Sequence, residues 1–321
     1  MLVKNLKLSA LALVLGLTAG TAIAQEKYVA ITAIVEHPAL DSARDGVIKA
    51  LAEEGFEEGK NLKVEYQSAQ GNTGTAAQIA RQFIGEKPDA IVAIGTPSAQ
   101  AVAAATKTIP LVYSAITAPV EAQLVKTMDA SGTNVTGVSD VLELEPQIEL
   151  IKKILPNAKR IGMVYNPGEA NSVVVVNAFK ELLPKHGMTL VEAAAPRSVD
   201  VSSAARSLVG KVDVIYSSTD NNVVSSYEAL TKVGNEADIP LIASDTDSVK
   251  RGAIAALGLN YFSIGEQTGK IVARIFMGEA PGNIASETSK TLELYINKSA
   301  AKEQGVELSE EILKEAGQII E

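Results

Sequence analysis

Polar side chains gather where the short β-branched runs of this chain end. In the first half these are His37 after Tyr28–Val35, Thr96 and Ser98 after Ile91–Gly95, and Ser114 and Thr117 around the end of Leu111–Tyr113. In the second half they are Asn166, Glu169 and Ser172 after Arg160–Tyr165, Asp220 and Asn221 after Val212–Ser217, and Asp245 after Leu241–Ser244. Asp140 closes the polar segment Thr133–Asp140 between the halves. The first set offers hydroxyls and one imidazole, whereas the second carries the acids. A zwitterion fits that division, its carboxylate toward hydroxyls and helix N-termini and its ammonium against a buried acid. Asp220 is the expected ammonium partner, oriented by Asn221 and Asn222, and Asp245 stands next in line. Asp, Asn and Thr at such positions also cap helices. Thr96–Pro97 in particular has the form of an N-cap followed by proline at the first helical position.

Other chemistries find no residues here. The chain has no cysteine, which removes thiolate nucleophiles and thiolate metal sites, and only two histidines. His37 precedes a proline in a turn and reads as a cavity wall. His186, beside Gly187 after a helix, reads as a surface residue near a negative helix end. No histidine–acid cluster has ligand spacing, so no metal site is expected. Gly-x-Gly-x-x-Gly, a P-loop and Gly-x-Ser-x-Gly are all absent, so no cofactor is expected and the pattern is that of a binding protein, not an enzyme.

The elements that must present these residues are written twice. A strand, a helix around Ser42–Glu54, a glycine, the strand Leu62–Tyr66 and an Ala-rich helix near Thr75–Ile84 recur in order. Their counterparts are helix Ser172–Leu183, strand Met188–Glu192 and a helix near Ser202–Leu208. Lys87-Pro-Asp89 matches Lys211-Val-Asp213, and Thr108-Ile-Pro110 matches Asp238-Ile-Pro240, at an offset of roughly 130 residues. Strands alternating with helical segments mean βαβ units, parallel sheets buried on both faces and right-handed crossovers. Two similar Rossmann-like three-layer α/β/α lobes follow, and ligands of such sheets sit beyond the carboxyl ends of the strands. A further helix at Ser263–Met277 has no counterpart in the second repeat and is expected to return to the first lobe. The lobes are then 25–139 plus 262–284 and 140–261 plus 285–321, joined by three crossings that make a hinge.

Residues 1–24 differ from the rest: Lys4 and Lys7, the apolar Leu8–Leu17, then Ala22-Ile23-Ala24 before Gln25. This is the form of a cleaved secretory signal, too short in its apolar run to span a bilayer. The net charge is −9, and losing a leader that holds two lysines and no acid makes it more negative. Nucleic acid and anionic membrane surfaces are excluded as partners. Without a cysteine after the leader there is no lipid anchor, so a freely diffusing, monomeric periplasmic protein is expected.

Six segments bring a family into view: Val35-Glu-His-Pro-Ala-Leu-Asp41, Glu58-Gly-Lys-Asn-Leu62, Ile94-Gly-Thr-Pro-Ser98, Asn134-Val-Thr-Gly-Val-Ser-Asp140, Thr219-Asp220-Asn221 and Ser248-Val-Lys-Arg-Gly-Ala253. Over about Tyr28 to Gly305 the chain resembles the ABC-transporter substrate-binding proteins associated with tryptophan and other aromatic amino acids. The resemblance implies a type I periplasmic binding fold, an amino-acid ligand, phenylalanine or tryptophan by preference, and a membrane permease as partner. The chain departs from such a site in having no Trp, eight Tyr and five Phe, so few rings are available to sandwich an aromatic ligand. Tyr113, Tyr165 and Tyr261 are the best placed. A ribose-like sugar is the alternative ligand of the same fold, weakened by that lack of Trp for stacking.

Overall fold

A computed structural model describes residues 26–321 apart from Lys290. The leader assigned above lies outside the described residues. Along the first half run β1 (Lys27–Ala33), α1 (Pro38–Glu53), β2 (Leu62–Ser68), α2 (Thr73–Glu86), β3 (Ala90–Ile94), α3 (Thr96–Ala105), β4 (Leu111–Ser114) and β5 (Val135–Ser139). The chain then builds α4 (Leu144–Ile154), β6 (Arg160–Tyr165), α5 (Ala170–Leu182), β7 (Thr189–Ala194), α6 (Val201–Ser207) and β8 (Val214–Ser217). It continues with α7 (Asn221–Ser225), α8 (Tyr227–Ala237), β9 (Leu241–Asp245), α9 (Thr246–Lys250) and β10 (Ala255–Leu259). After α10 (Tyr261–Phe276) and β11 (Glu287–Thr288) come β12 (Leu292–Asn297), α11 (Lys298–Glu303), α12 (Glu310–Glu315) and β13 (Gln318–Ile320).

Two sheets result, ordered β11-β5-β4-β3-β1-β2 and β13-β12-β10-β9-β8-β6-β7. The runs Ala90–Ile94 and Leu111–Ser114 are buried at every position, as a parallel sheet covered on both faces requires. In the second sheet, Val214, Tyr216 and Ile242 join one core with α4 and α5, while Ile215, Leu241 and Ala243 join another with α6 and α8. That alternation is the pleat dividing one strand between two cores.

Helix α10 packs on α1 in the first lobe at backbone distance. A Cβ on Gly265 would overlap the Ala43 carbonyl, one on Gly46 the Phe262 carbonyl, and one on Gly269 would lie 2.6 Å from the Val47 carbonyl. The first sheet also takes in β11, whose Glu287 and Thr288 pair with Val138 and Ser139, residues past the boundary at 284 drawn above. The first lobe thus runs on to β11, and the chain passes to the second lobe between β11 and β12. One strand departs from the parallel expectation: β12 runs antiparallel to β10, with Leu292 beside Leu259. The chain re-enters the second lobe at the end where β10 leaves it, so β12 can only run back.

Candidate functional site

The first lobe offers three chain turns to the cleft. His37 caps α1 in extended conformation, its Nδ1 accepting from the Leu40 N–H at 3.4 Å. Burial and the nearby positive charge of Arg251 push its ring down to about 3. The imidazole is therefore neutral, and with Nδ1 accepting, the proton belongs on Nε2. Helix α3 begins differently from expectation. Gly95, at φ +83°, is the N-cap, and Thr96 is the first helical residue, so Thr96 is not a cap. A Cβ at Gly95 would lie 2.8 Å from Ile34 and 3.5 Å from Asn221 of the other lobe. With no side-chain cap, the first N–H groups of α3 stay available to an anion. After β4, Ala115 takes φ +56°, a left-handed conformation that a residue with a Cβ adopts at a cost. The same turn carries Thr117. Asp140 follows β5 and is almost wholly buried; its Oδ2 accepts the Tyr261 hydroxyl at 2.6 Å, while Oδ1 has no partner. Burial raises its carboxyl above the ordinary range.

In the second lobe two buried acids hold the N-termini of α5 and α7 together. Asp220 caps α7 through Val223 N–H at 3.0 Å and accepts from Asn166 N–H and Ser172 Oγ, both at 2.6 Å. Glu169 accepts from Asn171 Nδ2 at 3.1 Å and from Asn221 Nδ2 at 2.7 Å. Burial, and then the negative charge of Asp220, raise Glu169 to about 7. Asp245 caps α9 through Ser248 N–H at 2.8 Å and Ser248 Oγ at 2.7 Å; burial raises its carboxyl too.

Two adjoining cavities lie between the lobes. The smaller, about 10 Å³, is walled by His37, Gly95, Thr96, Ala115, Asn171, Asn221, Val224, Asp245 and Tyr261. The larger, about 430 Å³, is walled largely by apolar groups: Ala118, Pro119, Val120, Met128, Val141, Leu142, Leu144, Val174, Val175, Ala178 and Tyr216. Both share Thr117, Asp140 and Thr219. Thr117 and Thr219 share a 3.3 Å hydrogen bond across the cleft, joining lobe to lobe. Acids line both cavities and no Lys or Arg lines either, so the site favours a cation or a neutral group over an anion. Among the described residues no group of His, Asp and Glu is placed to hold a metal ion.

Of the residues singled out from sequence, His37, Thr96, Thr117, Asp140, Asn221 and Asp245 line the cavities. Ser98, Ser114, Asn166, Glu169, Ser172 and Asp220 do not. Ser114 Oγ accepts from Thr268 on α10 at 2.8 Å, and Ser98 is buried inside α3's first turn. Asp220 spends both carboxylate oxygens on its own lobe, so the ammonium role expected of it does not fit its position. Asn171, with Oδ1 buried and unpartnered, and Thr219 stood in the inspected segments but were passed over. Of the three tyrosines, Tyr113 is core, Tyr165 bonds Glu192 at 2.9 Å outside the cavities, and Tyr261 lines the small cavity. Tyr216 and the valines of α5 were missed. Their signal was Val173–Val176, four consecutive valines that one helix cannot turn to a single core.

Residues 28–320 match the family model described as ABC transporter substrate binding protein. A protein named tyrosine-binding protein from Clostridioides difficile is 42% identical over 278 residues, 87% of this chain and 81% of that one. A Streptococcus pneumoniae ABC domain solved in complex with L-Trp is 34% identical, with a TM-score of 0.89 over 92% of this chain and 100% of that one. The ligand-free, open structure of a Clostridium difficile substrate-binding protein with adhesive properties is 41% identical, covering 92% and 99%, yet its TM-score is 0.69. The chain thus superposes better on the L-Trp complex than on the open structure. Sugar-binding proteins align at 14 to 17% identity and share the fold alone.

Proposed function

The chain belongs to the ABC transporter substrate-binding protein family, and on that premise we infer that it captures an aromatic L-amino acid between its lobes for delivery to a membrane permease. The observation that carries this reading is the meeting of a polar and an apolar cavity at Asp140, whose Oδ1 is buried without a partner. The ammonium is received by Asp140 Oδ1 and Asn171 Oδ1, with Asp245 adding negative charge. The carboxylate lies toward the uncapped start of α3, the Thr96 hydroxyl and the turn of Ala115. The side chain fills the 430 Å³ cavity, a volume in the range of small-molecule sites. Closure is driven by contacts that exist only when both lobes are engaged, about the crossings at 140–143, at 260 and between β11 and β12.

The family is typically extracytoplasmic, which agrees with a leader at residues 1–24 that directs secretion. The absence of any cysteine supports a free periplasmic protein. Thermal unfolding with L-tyrosine, L-tryptophan, L-phenylalanine, L-leucine and ribose tests the assignment. A ligand held only by the folded state adds about 2.7 kcal/mol at a hundredfold excess over Kd. Stabilisation by ribose, with none by any amino acid, would overturn the reading.

A further inference from the structure

The apolar cavity is not apolar throughout. At the carboxyl ends of β8 and β9 stand Tyr216, Ser244 and, one residue past β8, Ser218, all lining the larger cavity. Ser218 and Ser244 are each 3% exposed, and neither hydroxyl has a hydrogen-bond partner. The pleat sets them apart from the polar cavity. Ser244 precedes Asp245 within β9, so the two side chains leave opposite faces of the strand, while Ser218 follows β8 directly and lines the same cavity as Ser244. Tyr216 shares a core with Val214 and Ile242, which places this row of hydroxyls on the α5 side of the sheet, opposite the valines of the large cavity. A buried hydroxyl without a partner is unfavourable, and natural interiors rarely keep one unless a ligand or water completes it. A wall made only to hold a hydrocarbon ring would gain by replacing both serines with alanine.

We propose that Ser218 and Ser244, with the Tyr216 hydroxyl beside them, read a polar tip on the ligand's aromatic side chain, a phenol or an indole N–H, and so select against phenylalanine. The proposal rests on the amino-acid reading above and deepens it. Hydroxyl groups suit the task because each both donates and accepts, which matches a phenol in either sense and an indole N–H as acceptor. A site that pairs a substrate hydroxyl discriminates strongly against the analogue lacking it, because its own polar groups are then left buried and unpaired.

Titration calorimetry with L-tyrosine, L-tryptophan and L-phenylalanine tests this on the intact mature chain and on Ser218→Ala, Ser244→Ala and the double variant. In the unmodified protein, L-tyrosine or L-tryptophan should bind about tenfold or more tightly than L-phenylalanine. In the double variant that ratio should collapse toward one. The inference is overturned when neither polar-tipped ligand exceeds phenylalanine by more than about threefold, which would mean that water completes the hydroxyls. It is equally overturned when the variants lower all affinities alike and leave the ratio intact. Should the double variant fail to fold, the ratio in the unmodified protein still decides. Binding of no amino acid at all would instead strike the ligand class itself.

Discussion

Asp140→Asn separates binding from stability. In the free protein the substitution keeps an oxygen for the Tyr261 hydroxyl, now bonded at 2.6 Å, and removes a buried negative charge whose other oxygen has no partner. The lost charge-assisted bond and the relieved desolvation oppose one another, so ligand-free stability should move by less than about 1 kcal/mol. Binding should respond very differently. An ammonium enclosed between lobes without its carboxylate costs roughly 2–5 kcal/mol, or about 30- to several-thousand-fold in Kd. The effect also has a proton signature. Burial raises the Asp140 carboxyl, and the ammonium lowers it again, so at a pH below the free protein's raised value binding releases a proton, and affinity falls as pH drops through that value. Calorimetry in buffers of different ionisation enthalpy reads that release, and Asp140→Asn should abolish it. A variant that binds L-tyrosine or L-tryptophan within threefold of the parent would refute the assignment of the ammonium to Asp140.

Asp220→Asn should show the reverse pattern. One amide oxygen cannot serve Val223 N–H, Asn166 N–H and Ser172 Oγ together, so stability should fall by about 1–3 kcal/mol while Kd stays within about threefold, as chemical denaturation and calorimetry would show. Glu169, raised from the ordinary 4.5 to about 7, keeps a proton in the folded chain that the unfolded chain has lost. Its stabilising contribution is full below 4.5 and lost as pH rises through 7, on the order of a few kcal/mol, so Glu169→Gln should flatten the decline of melting temperature between pH 5 and 8. Gly265→Ala should cost about 2–3 kcal/mol in denaturant unfolding, because its Cβ meets the Ala43 carbonyl and α1 must move off α10. Small-angle scattering should report a smaller radius of gyration with bound amino acid than without, and an unchanged radius alongside proven binding would count against hinge closure.

Much of the architecture could be read from the repeat, since short β-branched runs, the helical segments between them and the recurring Asp and Pro anchors all point to two βαβ lobes. The strand-end rule reached His37 and Asp245, each of which heads a helix at the cleft, whereas Asp140 came from a segment read as a crossing that in fact holds β5. It failed where direction mattered. Ser114 is the last residue of β4, and the pleat turns it to Thr268 instead of the cavity. Asp220 heads a helix, yet the Asn166 N–H just past β6 and the Ser172 hydroxyl in the first turn of α5 claim its free oxygen. Asn171 escaped notice because its unpartnered oxygen depends on Glu169 holding the amide end, a contact that no linear spacing reveals. The apolar cavity was harder still, because Pro119 comes from the first lobe, Val141 from a crossing and Val174 from the second lobe, and only the folded chain sets them together. The antiparallel β12 likewise follows from where the third crossing re-enters, not from any propensity within Leu292–Asn297.

A crystal structure of the mature protein with L-tyrosine or L-tryptophan tests the central claim most directly. The expected density places the ligand's ammonium on Asp140 and Asn171, its carboxylate at the start of α3, and its ring between Val174, Val175 and Tyr216. A ligand whose ring occupies the polar cavity, or whose ammonium sits on Asp220 with Asp140 unengaged, would contradict it.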